Sequence, residues 1–200
     1  DGLLTADEVR QGDFDASPDT ADFEQLADTR WPLFRKAYSR VTPEMREEIA
    51  AFTEKNNEWL PDYALFMALK EEKYHHMPVY MWPDKDVRDR KPAALEQVTA
   101  ELRDEVDFRI FLQYIFFKQW TALREYANEK GIQIIGDIPI YVSADSSDVW
   151  THPKLFKLKP DRSPKLVAGV PPDYYSATGQ LWGNPVYNWA AHKAENYAWW

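Results

Sequence analysis

The stretch Gly131-Ile132-Gln133-Ile134-Ile135-Gly136-Asp137-Ile138-Pro139-Ile140-Tyr141-Val142 decides the fold class. Upstream of it, from about residue 95 to 130, the pattern is long and helical, in one piece or two. Gly131 is a natural helix C-cap. Then the period changes. Residues 132–135 form a short β-branched run ending in Gly136-Asp137, and residues 138–142 are a second apolar run. A long helix, a glycine and a buried strand make one αβ step of an α/β protein.

Further upstream the signals are helical. Leu3, Leu4 and Val9 can anchor a short helix, and residues 12–19 read as a loop. Residues 21–40 read as a helix with Phe23, Leu26, Trp31, Leu33, Phe34 and Ala37 inward and Pro32 as a break or kink. Thr42-Pro43 starts another, with Thr as N-cap and Pro at the first helical position. Residues 60–73 follow as a helix, Pro78 and Pro83 bracket a Trp-containing loop, and Pro92 opens the next helix. Phe108, Phe111, Leu112, Ile115 and Phe116 crowd one region of the long helix, which must be buried on more than one side. Downstream of residue 142 come short elements and loops rich in Pro, Gly and Asp. Trp199-Trp200 at the end, two large aromatics expected to be exposed there, and a start without Met both read as cuts through a longer protein.

Composition bounds the function. The 200 residues are 44% hydrophobic, enough for a packed core. A net charge of −9 repels phosphate backbones, which argues against nucleic-acid binding. No run reaches the length of a membrane span, and no cysteine occurs, which fits a reducing, cytoplasmic compartment.

Three constellations can carry chemistry. Asp137 follows a hydrophobic run directly. A carboxylate there costs desolvation unless paired or solvated, and strand C-terminal ends form the active face of α/β barrels. A structural Asp capping nearby amides is the equal alternative. The second constellation is Val167-Ala168-Gly169-Val170-Pro171-Pro172-Asp173-Tyr174-Tyr175-Ser176-Ala177-Thr178-Gly179-Gln180-Leu181-Trp182-Gly183-Asn184-Pro185. This is a loop by composition, with no regular hydrogen-bond ladder evident, yet it carries Tyr174, Tyr175 and Trp182. Sugars present polarised C–H faces that suit aromatic rings, and Asp173, Gln180 and Asn184 offer directional hydrogen bonds to hydroxyls. The competing reading folds these rings onto the helices as core. The third constellation, Asp145-Ser146-Ser147-Asp148-Val149-Trp150, reads as a capped helix under a Trp. The adjacent pair His75-His76 lacks metal-ligand spacing, and no metal or cofactor site is expected.

Three stretches resemble the amylomaltase, or 4-alpha-glucanotransferase, family of glycoside hydrolases, family 77. They are Asp62-Tyr63-Ala64-Leu65-Phe66-Met67-Ala68-Leu69-Lys70; Ile135-Gly136-Asp137-Ile138-Pro139 with Asp145-Ser146 and Val149-Trp150; and the aromatic loop from Val170 to Pro185. The resemblance implies an α/β fold, part of a (β/α)8 TIM barrel with large, mainly helical insertions. Residues 1–130 would be the mainly helical insertion region. Residues 131–200 would hold barrel strand segments and the aromatic loop that covers the cleft.

The resemblance also implies a retaining reaction on α-1,4-glucans: maltooligosaccharides, or dextrins derived from starch or glycogen. One carboxylate forms a glycosyl-enzyme and a second carboxyl group protonates the leaving sugar. The family's nucleophile sits in an Arg-x-Asp-His motif. Arg88-Asp89-Arg90 and Arg103-Asp104 lack the following His, so no catalytic residue is assigned in this chain and the isolated chain is expected to be inactive. Asp137, Asp173, Tyr174, Tyr175, Gln180, Trp182 and Asn184 are the implied glucan-binding residues. Many relatives carry Tyr at the position of Phe23, linked in the family to a second glucan site; Phe keeps the stacking face and lacks the hydroxyl. The alternative from another class is a non-catalytic carbohydrate-binding module.

Overall fold

The computed structural model describes residues 2–11 and 20–200; the loop expected over 12–19 lies outside the described residues. The helices are α1 (Ala6–Gln11), α2 (Phe23–Ser39), α3 (Pro43–Lys55), α4 (Leu60–Ala68), α5 (Lys85–Arg88), α6 (Pro92–Glu101), α7 (Arg103–Glu129), α8 (Ser147–Thr151) and α9 (Trp189–Ala194). Strands β1 (Val167–Val170) and β2 (Gln180–Pro185) pair antiparallel.

Local chemistry explains most boundaries. The Asp22 carboxylate accepts from the Gln25 amide at 3.0 Å and caps α2, and the Thr42 hydroxyl accepts from the Met45 amide at 3.2 Å ahead of Pro43. Each cap satisfies an amide that has no partner within the first helical turn. Pro32 lies inside α2 and does not end it. The apolar run from residue 95 divides at Leu102, between α6 and α7. Gly131, at φ +75°, closes α7, and the Ile132 amide reaches back to the Ala127 carbonyl at 3.0 Å. This is the wrap that a left-handed residue after a helix allows.

The chain divides into two units. The first holds the residues up to Pro61 and Asp104–Ile132. Its core is Leu3, Ala37, Val41, Met45, Phe108, Phe111 and Tyr114, with Tyr38, Ile49, Phe52 and Leu112 packed around them. α7 therefore buries several of its faces between Glu105 and Tyr114, whereas Phe116, expected in the crowded region, is 56% exposed. The inward reading of α2 is corrected at Phe23, and Trp31 and Phe34 are each 39% exposed as well. Phe23 is 80% exposed, while the buried contact of this helix is Ala37, near its other end. Glu105, buried on α7, accepts from Arg109 at 2.6 Å and 2.7 Å and also pairs with Arg35.

The second unit holds Asp62–Arg103 and Gln133–Trp200. One cluster gathers Phe66, Tyr74, Trp82 and Trp150; Tyr74 stacks on Trp82 with ring centroids 4.4 Å apart. A second cluster gathers Val149, Leu155, Phe156 and Tyr187, with Trp199 packed against it. Trp200 stacks on Trp189 at 5.9 Å and stays 40% exposed, so of the terminal aromatics one is packed and one is partly covered.

The helix expected over residues 60–73 widens into a π-helical turn at Leu69–Lys73. There the buried Lys70 ammonium donates to the carbonyls of His76 and Met77, each at 2.8 Å, and to Asp145 at 2.5 Å. Arg90 bonds Asp62 at 2.7 Å, and the Trp150 indole donates to the Val87 carbonyl at 3.2 Å. Two of the three stretches that carry the family resemblance thus build this core and bind each other through Lys70 and Asp145.

The strands expected over residues 132–135 and 138–142 do not form. Residues 132–139 have no regular structure, and Ile135, Ile138 and Ile140 are 91%, 63% and 73% exposed. A strand of this kind needs neighbours to take its backbone hydrogen bonds and cover both faces. Among the described residues no strand lies beside it.

Burial leaves a titration signature. The Tyr74 hydroxyl has no hydrogen-bond partner, and burial pushes it up from 10.0 to about 12. Burial also raises Tyr38, Tyr114 and Tyr187. A folded-state value above the unfolded one means that the native state holds its proton longer. The associated stability is present below pH 10 and is lost as pH rises toward 12. Tyrosinate absorbance of the native protein should therefore show late-titrating groups, and Tyr74→Phe should remove one of them, at about 12. Because the variant deletes an unpartnered buried hydroxyl, its stability at neutral pH should be unchanged or higher. A clear loss of stability would show that the hydroxyl is bonded.

Candidate functional site

The third resemblance stretch forms a held hairpin. β1 and β2 pair Val170 with Gln180 and Gly169 with Leu181, and the register shifts between Gly169 and Val167. The ladder corrects the reading of residues 169–185 as a loop without regular hydrogen bonding. Gly179, at φ +72°, sits where the connection turns back. A Cβ there would meet the Val170 carbonyl oxygen at 2.5 Å, so the position demands glycine both by conformation and by space.

The turn is closed by side chains. Oδ1 of Asp173 accepts from the amides of Tyr175 at 2.9 Å and Ser176 at 2.8 Å. The Asp173 amide donates to the Ser176 carbonyl at 2.9 Å. The Ser176 hydroxyl donates to the Gly179 carbonyl at 2.8 Å. On this turn Tyr174 and Tyr175 stand 96% and 90% exposed, with their rings 5.5 Å apart and perpendicular. Trp182 on β2 is 45% exposed. These rings are not core, which removes the competing reading.

The polar residues are engaged within the site. Oε1 of Gln180 accepts from the Trp182 indole at 2.8 Å, fixing that ring. Nδ2 of Asn184 donates to the Val142 carbonyl at 2.9 Å, tying the hairpin to the chain that follows Asp137. Asp173, Tyr174, Tyr175, Gln180, Trp182 and Asn184 therefore share one hairpin. Asp137 does not sit at a strand end; it is exposed on the irregular segment, and among the described residues no hydrogen bond joins it to the hairpin.

Tyr141 is a residue the sequence reading missed as a support. Its ring lies 6.2 Å from Trp182 and stacks on the buried Tyr187 at 5.8 Å, linking the hairpin to the second cluster. Its place at the end of the run 138–142 made it look like one more strand residue.

Elsewhere, the third constellation behaves as a capped helix: Ser146 accepts from the Val149 amide at 3.3 Å and Trp150 is buried. The guanidinium of Arg88, with that of Arg162, holds the Asp89 carboxyl below the usual carboxylate range. Among the described residues, no group of His, Asp or Glu has metal-binding geometry. A cavity of about 450 Å³ in the first unit is lined mostly by Leu3, Leu4, Phe34, Phe111, Ile115 and Phe116, and offers a hydroxyl-rich molecule little to bond.

These observations define a mixed helical chain that presents Tyr174 and Tyr175, at 96% and 90% exposure, on one internally braced hairpin. The family profile of 4-alpha-glucanotransferases, glycoside hydrolase family 77, matches residues 2–200, and the chain belongs to that family. It is 44% identical over 99% of its length to the 4-alpha-glucanotransferase of Aquifex aeolicus, and 45% identical over 90% to that of Thermus thermophilus. Among solved structures it resembles an amylomaltase from Streptococcus agalactiae in complex with acarbose, with a TM-score of 0.94, 41% identity and complete coverage of this chain. The chain spans 40% of the length of the Aquifex relative, 36% of the Thermus relative and 40% of the solved chain.

Proposed function

We infer that the protein carrying this chain is a 4-alpha-glucanotransferase that moves α-1,4-glucan segments between maltodextrins, and that this chain supplies part of the glucan-binding cleft. The observation that carries the reading is the pair Tyr174 and Tyr175, almost fully exposed on a turn held by five hydrogen bonds among Asp173, Tyr175, Ser176 and Gly179. Adjacent rings left this exposed, touching each other edge to face, are costly to leave in water unless something docks on them. Pyranose rings, with C–H faces and peripheral hydroxyls, suit them.

In this reading the fold is completed as a (β/α)8 barrel. Residues 1–130 belong to a mainly helical insertion region and residues 131–200 border the cleft. Asp137 faces the donor sugar. Catalysis is retaining: a carboxylate outside these 200 residues attacks the anomeric carbon, and a second carboxyl group protonates the departing oxygen. The hairpin covers the cleft, and exclusion of water favours a glucan 4-hydroxyl as acceptor over hydrolysis. The cysteine-free composition supports a cytoplasmic setting.

The test is product analysis with the full-length protein and maltotriose. The expected result is glucose together with maltodextrins longer than the substrate. Hydrolysis products alone, or no turnover, would contradict the reading.

A further inference from the structure

We propose that Asp173 is a positioning residue: its carboxylate fixes the backbone that presents Tyr174 and Tyr175, and it does not itself bind a glucan hydroxyl. The proposal rests on the glucan-platform reading above.

Both amides that Asp173 accepts belong to the presenting segment. The Tyr175 and Ser176 N–H groups converge on a single oxygen, Oδ1, at 2.9 Å and 2.8 Å. The Asp173 N–H closes the same turn from the other side onto the Ser176 carbonyl, at 2.9 Å. Ser176 is then braced forward by its hydroxyl on the Gly179 carbonyl, at 2.8 Å, and by the Gly179 amide on its own carbonyl, at 3.2 Å. Tyr174 and Tyr175 have almost no side-chain contact besides each other. Their orientation is therefore set by the backbone, and the side chain that holds that backbone is Asp173.

A side-chain oxygen bonded to nearby amides mimics a backbone turn, and Asn performs this as well as Asp because only an acceptor is needed. A glucan hydroxyl donating to the other oxygen, Oδ2, would instead lose its acceptor in Asn, which places an NH2 donor there. The two roles therefore separate on substitution. Asp173→Asn keeps the acceptor and removes the charge, whereas Asp173→Ala removes both. Without the acceptor the two rings must be ordered when a glucan docks, and ordering two such side chains weakens binding by roughly tenfold.

The experiment uses the full-length protein with maltoheptaose as substrate. It compares Asp173→Asn, Asp173→Ala and the double variant Tyr174→Ala/Tyr175→Ala. The readouts are KM, kcat and hydrogen exchange at the amides of Tyr175 and Ser176 without sugar. The proposal expects Asp173→Ala to lose amide protection and raise KM about tenfold, with a smaller change in kcat. Asp173→Asn should rescue both protection and KM. If Asp173→Asn raises KM as much as Asp173→Ala while the amides stay protected, the carboxylate is a direct sugar ligand and the proposal is overturned. If the double tyrosine variant raises KM but Asp173→Ala does not, the positioning role is overturned and the platform survives. If the double tyrosine variant leaves KM unchanged, the platform reading itself fails and takes the proposal with it.

Discussion

Lys70→Met should cost the second unit about 3 kcal/mol, toward the lower end of what breaking a buried ion pair costs because Asp145 keeps some water. The Lys70 ammonium is 9% exposed at its side chain and its three protons all find oxygens: His76 and Met77 carbonyls and Asp145. Asp145 is 28% exposed and uses its other oxygen on the Val79 amide at 3.2 Å. His75 and His76 lie in the left-handed region, at φ +43° and +64°, which costs non-glycine residues of order 1–2 kcal/mol each. Lys70 binds the carbonyls at the end of this turn and so offsets that strain. Removing the cation takes that donor from two carbonyls and from one oxygen of the Asp145 carboxylate. Asp145→Ala should be of similar severity, since it strands the buried ammonium. The two losses should not add, because they break one network. Denaturant midpoints of the two single variants and the double variant check this. Additive losses, or single losses under about 1 kcal/mol, would mean that the pair is worth no more than a surface contact.

The second large effect is on binding. Tyr174→Ala/Tyr175→Ala should leave stability nearly unchanged, because rings 96% and 90% exposed contribute almost nothing to the core. The affinity for a long maltodextrin should fall by roughly tenfold to a hundredfold, at about 1 kcal/mol or more for each stacked ring. Trp182→Ala should act in the same direction, and part of its effect should appear as disorder of Gln180, whose amide oxygen loses the Trp182 indole donor. Denaturant melts and maltodextrin titrations on the same samples separate the two quantities. A double variant that unfolds would contradict the exposure of the rings; one that binds normally would contradict their role.

Much of the helical framework was legible because it depends on neighbours close in sequence. Thr42-Pro43, Pro92 and Gly131 act through caps and fixed dihedrals, and each does in the structure what its local chemistry requires. The burial of α7 on several sides was equally legible from Phe108, Phe111 and Leu112. What failed depended on residues far away in the chain. The run 132–142 has the composition of a buried strand, but a strand exists only through its neighbours, and composition does not say whether they are present. Phe23 is apolar at a helical spacing, yet its helix meets the core near Ala37. The widened turn at Leu69–Lys73 had no sequence signal short of knowing that Lys70 would find Asp145.

The site divides along the same line. The aromatic faces were legible, because Tyr, Tyr and Trp among prolines and glycines have little core to fill. The polar residues were read as ligands for hydroxyls, and the structure instead engages Asp173, Gln180 and Asn184 with an amide pair, an indole and a carbonyl. Pro171 and Pro172 suggested a turn without a ladder, but the pairing of Val170 with Gln180 is made by residues outside the proline pair. Asp137 was drawn from a strand end that the structure does not form, so its part in donor binding rests on the family resemblance.

The most direct measurement is a crystal structure of the full-length protein with bound maltoheptaose. The account predicts glucose rings on the faces of Tyr174 and Tyr175, with carbon atoms within roughly 4 Å, and Asp173 still bonded to the Tyr175 and Ser176 amides. A maltoheptaose chain bound in the cleft with both tyrosine rings left in solvent would contradict it.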